Sequence, residues 1–260
     1  MPTYKAKALV LRTYKLGESD KIVRLYCRHQ GLVSAVGKGA RKTKSRFGGR
    51  LELFNLIDAE LHVGKSLDII GQAEIIENFK NIANDFSRFV FCELISKIIL
   101  KTHNEISEPS ESLFKLIYVC FREINSSGYE DIVSLKKIMC FFIAKFLSIA
   151  GFGPLLGVCA KCNKKLEASL YGFHGKKILF SVKLGGVLCQ DCSMGTEDTG
   201  LNAKSFRLLY DFFTKKIEDI RDMEVDHFAL KKAYTVLENY IIYHTGCNVS
   251  SFQYLKKIGI

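Results

Sequence analysis

Acidic side chains are in short supply in this sequence. Twenty-seven Asp and Glu stand against 38 Lys and Arg over 260 residues, for a formal net charge of +11. Such a balance favours an anionic partner, either nucleic acid or an acidic membrane surface. No hydrophobic run reaches the length of a bilayer span; the nearest approach, Ile138 to Ile149, is too short and carries Lys145. The first fifteen residues thread charges through their apolar positions, unlike a secretory leader. Three prolines leave no Pro-rich linker, and no internal repeat or low-complexity tract is present. HExxH, GxSxG and GxGxxG are all missing. Gly64-Lys65-Ser66 has the look of the end of a phosphate-binding P-loop, but Ala59 stands where that motif needs a glycine. The residues after Ser66 read as a strand, whereas the motif opens a helix. Asp58, Glu60, Asp68 and Glu74 alternate along strand-like segments and suit a solvated sheet face better than a metal-nuclease cluster. No constellation for catalysis remains, and the chain is expected not to be an enzyme.

What is present centres on Val36 to Arg50, VGKGARKTKSRFGGR. Lys38, Arg41, Lys42, Lys44, Arg46 and Arg50 occur here with no Asp or Glu, and Gly37, Gly39, Gly48 and Gly49 punctuate them. Cations attract phosphates and release condensed counterions, and glycines allow close backbone approach. The bland alternative is a solvated surface loop. Strand-like flanks favour a loop held on a scaffold. Phe47 and Tyr14 could stack on unpaired bases, although packing inside the scaffold is the better reading of both. Lys5, Lys7, Arg12, Lys21 and Arg24 are candidates to extend the basic face.

Those flanks predict five strands: Thr3–Tyr14, Lys21–Arg28, Leu32–Val36, a long Leu51–Val63, and Leu67–Ile75. Five strands joined by tight turns suit a small closed barrel of the OB type, while an SH3-like barrel has a similar strand count. After Glu77 the apolar period becomes helical. One helix is expected from Phe79 to about Thr102, a second around Leu113–Ile124, ended by Ser126-Ser127-Gly128, and a third from about Glu130 to Ala150. Further helices are expected around Phe206–Ile217 and Ala233–His244, with Asp226 as N-cap and Gly246 as stop. His244 is expected as a helix-end cap or a satisfied partner.

Nine cysteines without a leader point to a reducing cytosol, where metal binding is favoured over disulfides. Cys27, Cys92, Cys120, Cys140 and Cys247 read as small buried hydrophobes. Cys159, Cys162, Cys189 and Cys192 form two CxxC knuckles. Each presents two thiolates to one ion, and four thiolates leave no position for a catalytic water. Structural Zn2+ is the expected occupant; redox dithiols and unmetallated cysteines are the alternatives. Ser169–Phe173 and Lys177–Lys183 read as a hairpin of a zinc ribbon, with His174 in a turn.

The overall expectation is an α+β multidomain chain. Residues 1–78 would form an OB-fold nucleic-acid-binding domain and 79–155 a helical domain. Residues 156–195 would be a four-cysteine zinc-binding insert, and 196–260 C-terminal helices packing on the helical domain.

The order of parts resembles the RecO family of bacterial DNA-repair proteins. The likeness is carried by Gly37 to Gly49 with Leu51-Glu52-Leu53-Phe54, by Gly64-Lys65-Ser66-Leu67 with Gln72-Ala73-Glu74, and by Gly17-Glu18-Ser19-Asp20. The resemblance implies a non-enzymatic recombination mediator. It would bind single- and double-stranded DNA, anneal strands, touch the C-terminal tail of single-strand-binding protein, and with RecR assist RecA loading. It also implies a cytoplasmic, nucleoid-associated protein. Cys247-Asn248-Val249-Ser250-Ser251-Phe252 departs from the basic residues often found after the family's last helix. The alternative left open by the residues is a zinc-containing RNA-binding or translation-associated protein.

Overall fold

The computed structural model describes residues 2–104, 107–126, 132–166, 177–193 and 199–247. The predicted strand Ser169–Phe173, His174 and the stretch after Cys247 lie outside them. The chain divides into two compact units, Met1–Ser127 and Gly128–Ile260.

The first unit begins with five strands, β1 (Thr3–Leu16), β2 (Asp20–Cys27), β3 (Gly31–Gly37), β4 (Leu56–His62) and β5 (Asp68–Glu77). They close a barrel in the order β1-β2-β3-β5-β4, so the expected OB-like barrel is present. The long β1 pairs antiparallel with β4 through its first half and with β2 through its second, and β3 and β5 close the barrel as a parallel pair. Five strands enclose little space, and the interior is filled largely by small or β-branched residues: Ala6, Ala8, Val10, Val23, Ala35, Ala59 and Ala73. The Gly64-Lys65-Ser66 segment is the β4–β5 turn. A Cβ on Gly64 would lie 1.9 Å from the Leu67 carbonyl oxygen, so this glycine serves the turn.

The predicted fourth strand starts too early. Leu51–Asn55 are turns, and β4 opens at Leu56. Leu51 and Phe54 are buried, which mimics strand alternation, but Phe54 has a φ of 70° and cannot continue a strand.

The helices of this unit are α1 (Lys80–Asn84), α2 (Phe86–Thr102) and α3 (Glu111–Ser126). The single helix expected from Phe79 is broken at Asp85. Its backbone is extended and its carboxylate caps α2, accepting from the Arg88 N–H at 2.8 Å. Helix α2 packs on β1. The outward-facing Tyr26 of β2 is buried, edge-on to His103 at 6.3 Å between centroids.

The second unit is built on α4 (Ile132–Ile149), which is apolar around most of its circumference. α5 (Ala203–Thr214), α6 (Ile217–Arg221) and α7 (His227–Thr245) pack against it. Extended Lys215 and Lys216 separate α5 from α6, so the helix expected over Phe206–Ile217 is two. Asp226 caps α7 by accepting from the Ala229 N–H at 2.8 Å, and Gly246 ends it in the left-handed conformation. Buried Lys137 of α4 donates to the Arg221 and Met223 carbonyls at 2.7 and 2.9 Å, which satisfies the C-terminal end of α6. A three-stranded antiparallel sheet, β6 (Ile178–Ser181), β7 (Gly186–Leu188) and β8 (Thr199–Leu201), completes the unit in the order β7-β6-β8. Cys27, Cys92, Cys120, Cys140 and Cys247 are all buried. Burial holds the Cys92, Cys120 and Cys140 thiols well above the ordinary thiol range, so these side chains are inert core.

Candidate nucleic-acid interface and metal centre

The basic stretch leaves β3 at Gly37 and winds through consecutive turns. Backbone N–H groups of Lys42, Ser45, Gly48, Arg50 and Glu52 each donate to the carbonyl three residues earlier. Turns satisfy the backbone locally, so no strand partner is needed. The apolar members of the stretch point inward. Phe47 and Leu51 are 1% exposed and join Ala40 in the barrel core. Phe47 is therefore a plug, not a stacking surface.

Two clamps hold the plug. At the front, the β1–β2 turn receives it: the Arg41 N–H and guanidinium donate to the carbonyls of Ser19 and Gly17 at 2.9 and 2.8 Å. The Asp20 carboxylate accepts the Gly39 N–H at 2.7 Å. That bond first, and the Ser19 hydroxyl second, lower the Asp20 pKa, with smaller help from Lys38 and Lys42. At the back, buried Asn55 donates its amide to the Gly49 and Arg50 carbonyls at 2.9 and 3.3 Å. Phe54 and Asn55 in turn exchange backbone bonds with Val10 of β1. Asp20 and Asn55 were not singled out by sequence. Asp20 closes the Gly17–Asp20 turn, and only that turn hinted at it.

With the apolar face buried, the cations turn outward. Lys38, Arg41, Lys42, Lys44 and Arg46 reach the surface. Among the described residues none of the five has a carboxylate within 4 Å. Arg46 also lies over the Phe47 ring at 4.9 Å and donates to the Ile70 carbonyl at 3.3 Å. Arg50 differs. It is half-buried, pairs with Glu74 at 3.3 Å and donates to the carbonyls of Arg46 and Phe47.

Among the candidates to extend the basic face, Arg12 and Lys21 are paired with acids. Lys5 and Lys7 stand opposite Glu60 and Asp58 in the β1–β4 register. Arg12 pairs with Glu93 at 2.8 Å and Lys21 with Glu52 at 2.7 Å. Arg24 stands opposite Arg12. Tyr14 is 49% exposed beside Arg12, whose guanidinium lies 5.9 Å from the ring centroid.

In the second unit the four predicted cysteines converge. Their Sγ atoms all lie within 4.8 Å of one another, and Cys162 and Cys189 are 3.7 Å apart. The first knuckle is a turn closed by the Asn163 N–H on the Cys159 carbonyl, with Asn163 in the left-handed region. β7 runs directly into the second. The Ala160 N–H donates to the Val187 carbonyl at 2.8 Å and ties the knuckles together. Desolvation pushes the Cys159 thiol up, but backbone N–H donors from Cys189, Cys162 and Lys161 outweigh it and bring the thiol down to about 6. Cys192 is raised to about 12, first by the bond to Cys189 and then by desolvation. The four sulfurs titrate as one set, with Cys159 ionising first and Cys192 last. The set could hold one metal ion.

Comparison with known proteins divides the chain after the barrel, earlier than the boundary between the two compact units. The profile described as Recombination protein O N terminal matches residues 1–79, and that described as Recombination protein O C terminal matches residues 83–251. The chain belongs to the RecO family. Curated relatives carrying the name DNA repair protein RecO include one from Thermobifida fusca, 34% identical over 193 residues, or 74% of each chain. One from Bifidobacterium adolescentis is 35% identical over 194 residues, 73% of each. One from Frankia casuarinae is 31% identical over 258 residues, 99% of this chain and 100% of the relative. The family's N-terminal part thus ends within two residues of the barrel, and its C-terminal part takes in all four cysteines.

Proposed function

We propose that this chain is a DNA-repair protein of the RecO kind, which binds DNA through the clamped loop and acts without catalysing a reaction. The observation that carries the reading is the outward placement of Lys38, Arg41, Lys42, Lys44 and Arg46 on a loop whose backbone is fixed by Asp20 and Asn55. A fixed backbone with exposed cations that no described carboxylate pairs suits phosphate contact without base readout, since phosphates position a strand and carry no sequence information. Arg50 contributes mainly by holding the loop. Tyr14 is an exposed aromatic available to stack on an unpaired base, and the loop docks on the turn beyond it. Screening two polyanions on one cationic surface would favour annealing. Membership of the family extends the proposal to RecR, the tail of single-strand-binding protein and RecA loading as the setting of this activity, in the cytoplasm. No helix among the described residues is long and apolar enough to cross a membrane.

For the cysteine set we propose structural zinc. Four sulfurs at the usual Zn–S distance of about 2.3 Å around a tetrahedral ion would stand about 3.8 Å apart. The 3.7 Å between Cys162 and Cys189 matches that edge. Zinc would crosslink the two knuckles and leave no open position; Cys159, Cys162, Cys189 and Cys192 would hold it.

The test is a salt titration of binding to single-stranded DNA, duplex DNA and RNA of equal length. DNA binding with a steep salt slope, tighter than that of RNA, is expected. Tighter binding to the RNA, or a flat slope, would overturn the reading.

A further inference from the structure

The cysteine unit carries a surface that the loop does not explain. Lys161, Lys164, Lys165, Lys177 and Lys183 are all exposed, and the one carboxylate described between residues 156 and 193 is Asp191. Its pairing with Lys164, at 3.6 Å between side chains 66% and 81% exposed, contributes little. Beside these lysines lie exposed apolar groups: Phe152, Leu155, Leu184 and Tyr243, each between 40% and 56% exposed.

Local bonding brings the two sets together. The ring of His244 is bonded through Nε2 to the Val182 carbonyl at 2.8 Å, which ties the end of α7 to the turn bearing Lys183 and Leu184. The same ring stands 5.1 Å from Tyr243 and 6.0 Å from Phe152 between centroids. The Leu155 N–H donates to the Gly185 carbonyl at 2.8 Å, and Ala160, beside Lys161, bonds to Val187 of the same hairpin. The result is an exposed aromatic rim with lysines on its hairpin and on the adjoining knuckle.

We propose that this rim is a second contact surface for single-stranded DNA, with the lysines on phosphates and Phe152 and Tyr243 under unstacked bases. The chemistry selects this occupant. A single strand offers both charge and flat apolar faces, whereas a duplex hides its base faces inside the stack. An acidic peptide would use the lysines and leave the aromatic rings without planar partners. The proposal rests on the reading of the chain as a DNA binder. It adds a second strand-holding surface, on the unit that does not carry the loop, which is what bringing two strands together would use.

The chain contains no tryptophan, so Phe152→Trp supplies a sole indole at the rim. The experiment follows its emission while oligo-dT binding is read separately by anisotropy on the full chain. Quenching of about twofold or more is expected, along with its loss in the background Lys161→Ala, Lys165→Ala, Lys183→Ala. The same triple change should lower the salt slope by about 2, three contacts at about 0.7 each. Quenching that survives neutralisation of the barrel loop would place the strand on this surface independently. Binding seen by anisotropy without any quenching would overturn the proposal and leave the loop reading standing. No binding by anisotropy would overturn both. Quenching by an acidic peptide and not by oligo-dT would overturn it in favour of a protein partner.

Discussion

The Gly39 N–H donates to the Asp20 carboxylate across 2.7 Å, joining the start of the basic loop to the turn between β1 and β2. This bond sets how far the Lys38 to Lys42 backbone can move. Asp20→Ala should loosen the loop without unfolding the barrel, because the side-chain bonds it removes are to the Gly39 N–H and the Ser19 hydroxyl and not to the barrel core. Hydrogen exchange at Gly39 should speed up and DNA affinity should fall. Unchanged exchange would show that Arg41 alone fixes the loop.

The same bond predicts a pH window. The folded-state pKa of Asp20 lies below its ordinary value of 3.8. The stabilisation is therefore fully present above that ordinary value and is lost as pH falls through the lower folded value. Protection of the Gly39 amide should hold from neutral pH down to the ordinary value of 3.8 and disappear only as pH falls through the lower folded value. Loss of protection near pH 6 would assign the clamp to another group.

Neutralising Arg41, Lys42, Lys44 and Arg46 together should lower the slope of log K against log salt by about 3 on single strands, four contacts at about 0.7 each. Lys42 and Lys44 lie at the surface and should cost little thermal stability, whereas loss of the Arg41 bond to Gly17 and the Arg46 bond to Ile70 should also loosen the loop. Phe47→Ala should act chiefly on stability. Its ring is 1% exposed in the barrel core, and its loss should cost about 3–5 kcal/mol. A Phe47→Ala protein of normal stability with weak DNA binding would mean that the ring leaves the barrel to stack.

The two kinds of feature differ in how well sequence reveals them. The knuckles were legible because CxxC places two sulfurs on one turn, and two such turns suggest one ion. The barrel was legible because its strands pair with neighbours in sequence, apart from β3 with β5 and β1 with β4. Leu51 to Asn55 was misread because a plug buries alternate residues much as a strand does. The break at Asp85 was hidden because Ile82, Phe86 and Phe89 keep helical spacing across it, although Phe86 proves 59% exposed. The clamps on the loop could not be read at all. Asp20 and Gly39 are nineteen residues apart, and only the folded barrel brings them together.

Metal removal should act on the second unit alone. With zinc bound, the chain should carry about one equivalent by elemental analysis, and chelation should release it. The β6–β7–β8 sheet should then lose exchange protection, because β7 leads straight into Cys189. Cys162→Ser should weaken metal retention with little cost in packing, since Cys162 is the exposed member of the set. Full protection of the sheet in a metal-free protein would make the knuckles self-supporting and the ion dispensable.

Phe54 offers a sharper test of the barrel's construction. It is buried, and its ring meets Phe89 of α2 and Phe121 of α3 edge-on at 5.4 and 5.3 Å between centroids. Its φ of 70° is a conformation that costs a non-glycine residue about 1–2 kcal/mol. The native ring offsets that strain with contacts to two helices, so Phe54→Ala loses the contacts and keeps the strain. Phe54→Gly loses the same contacts but releases the strain. Glycine elsewhere is less stable than alanine by about 0.5–1 kcal/mol through chain entropy. At this position the order should disappear or invert, with the glycine variant at least as stable by urea denaturation. An alanine variant clearly more stable than the glycine one would mean that residue 54 does not sit in the left-handed region in solution, and that β4 begins earlier than Leu56.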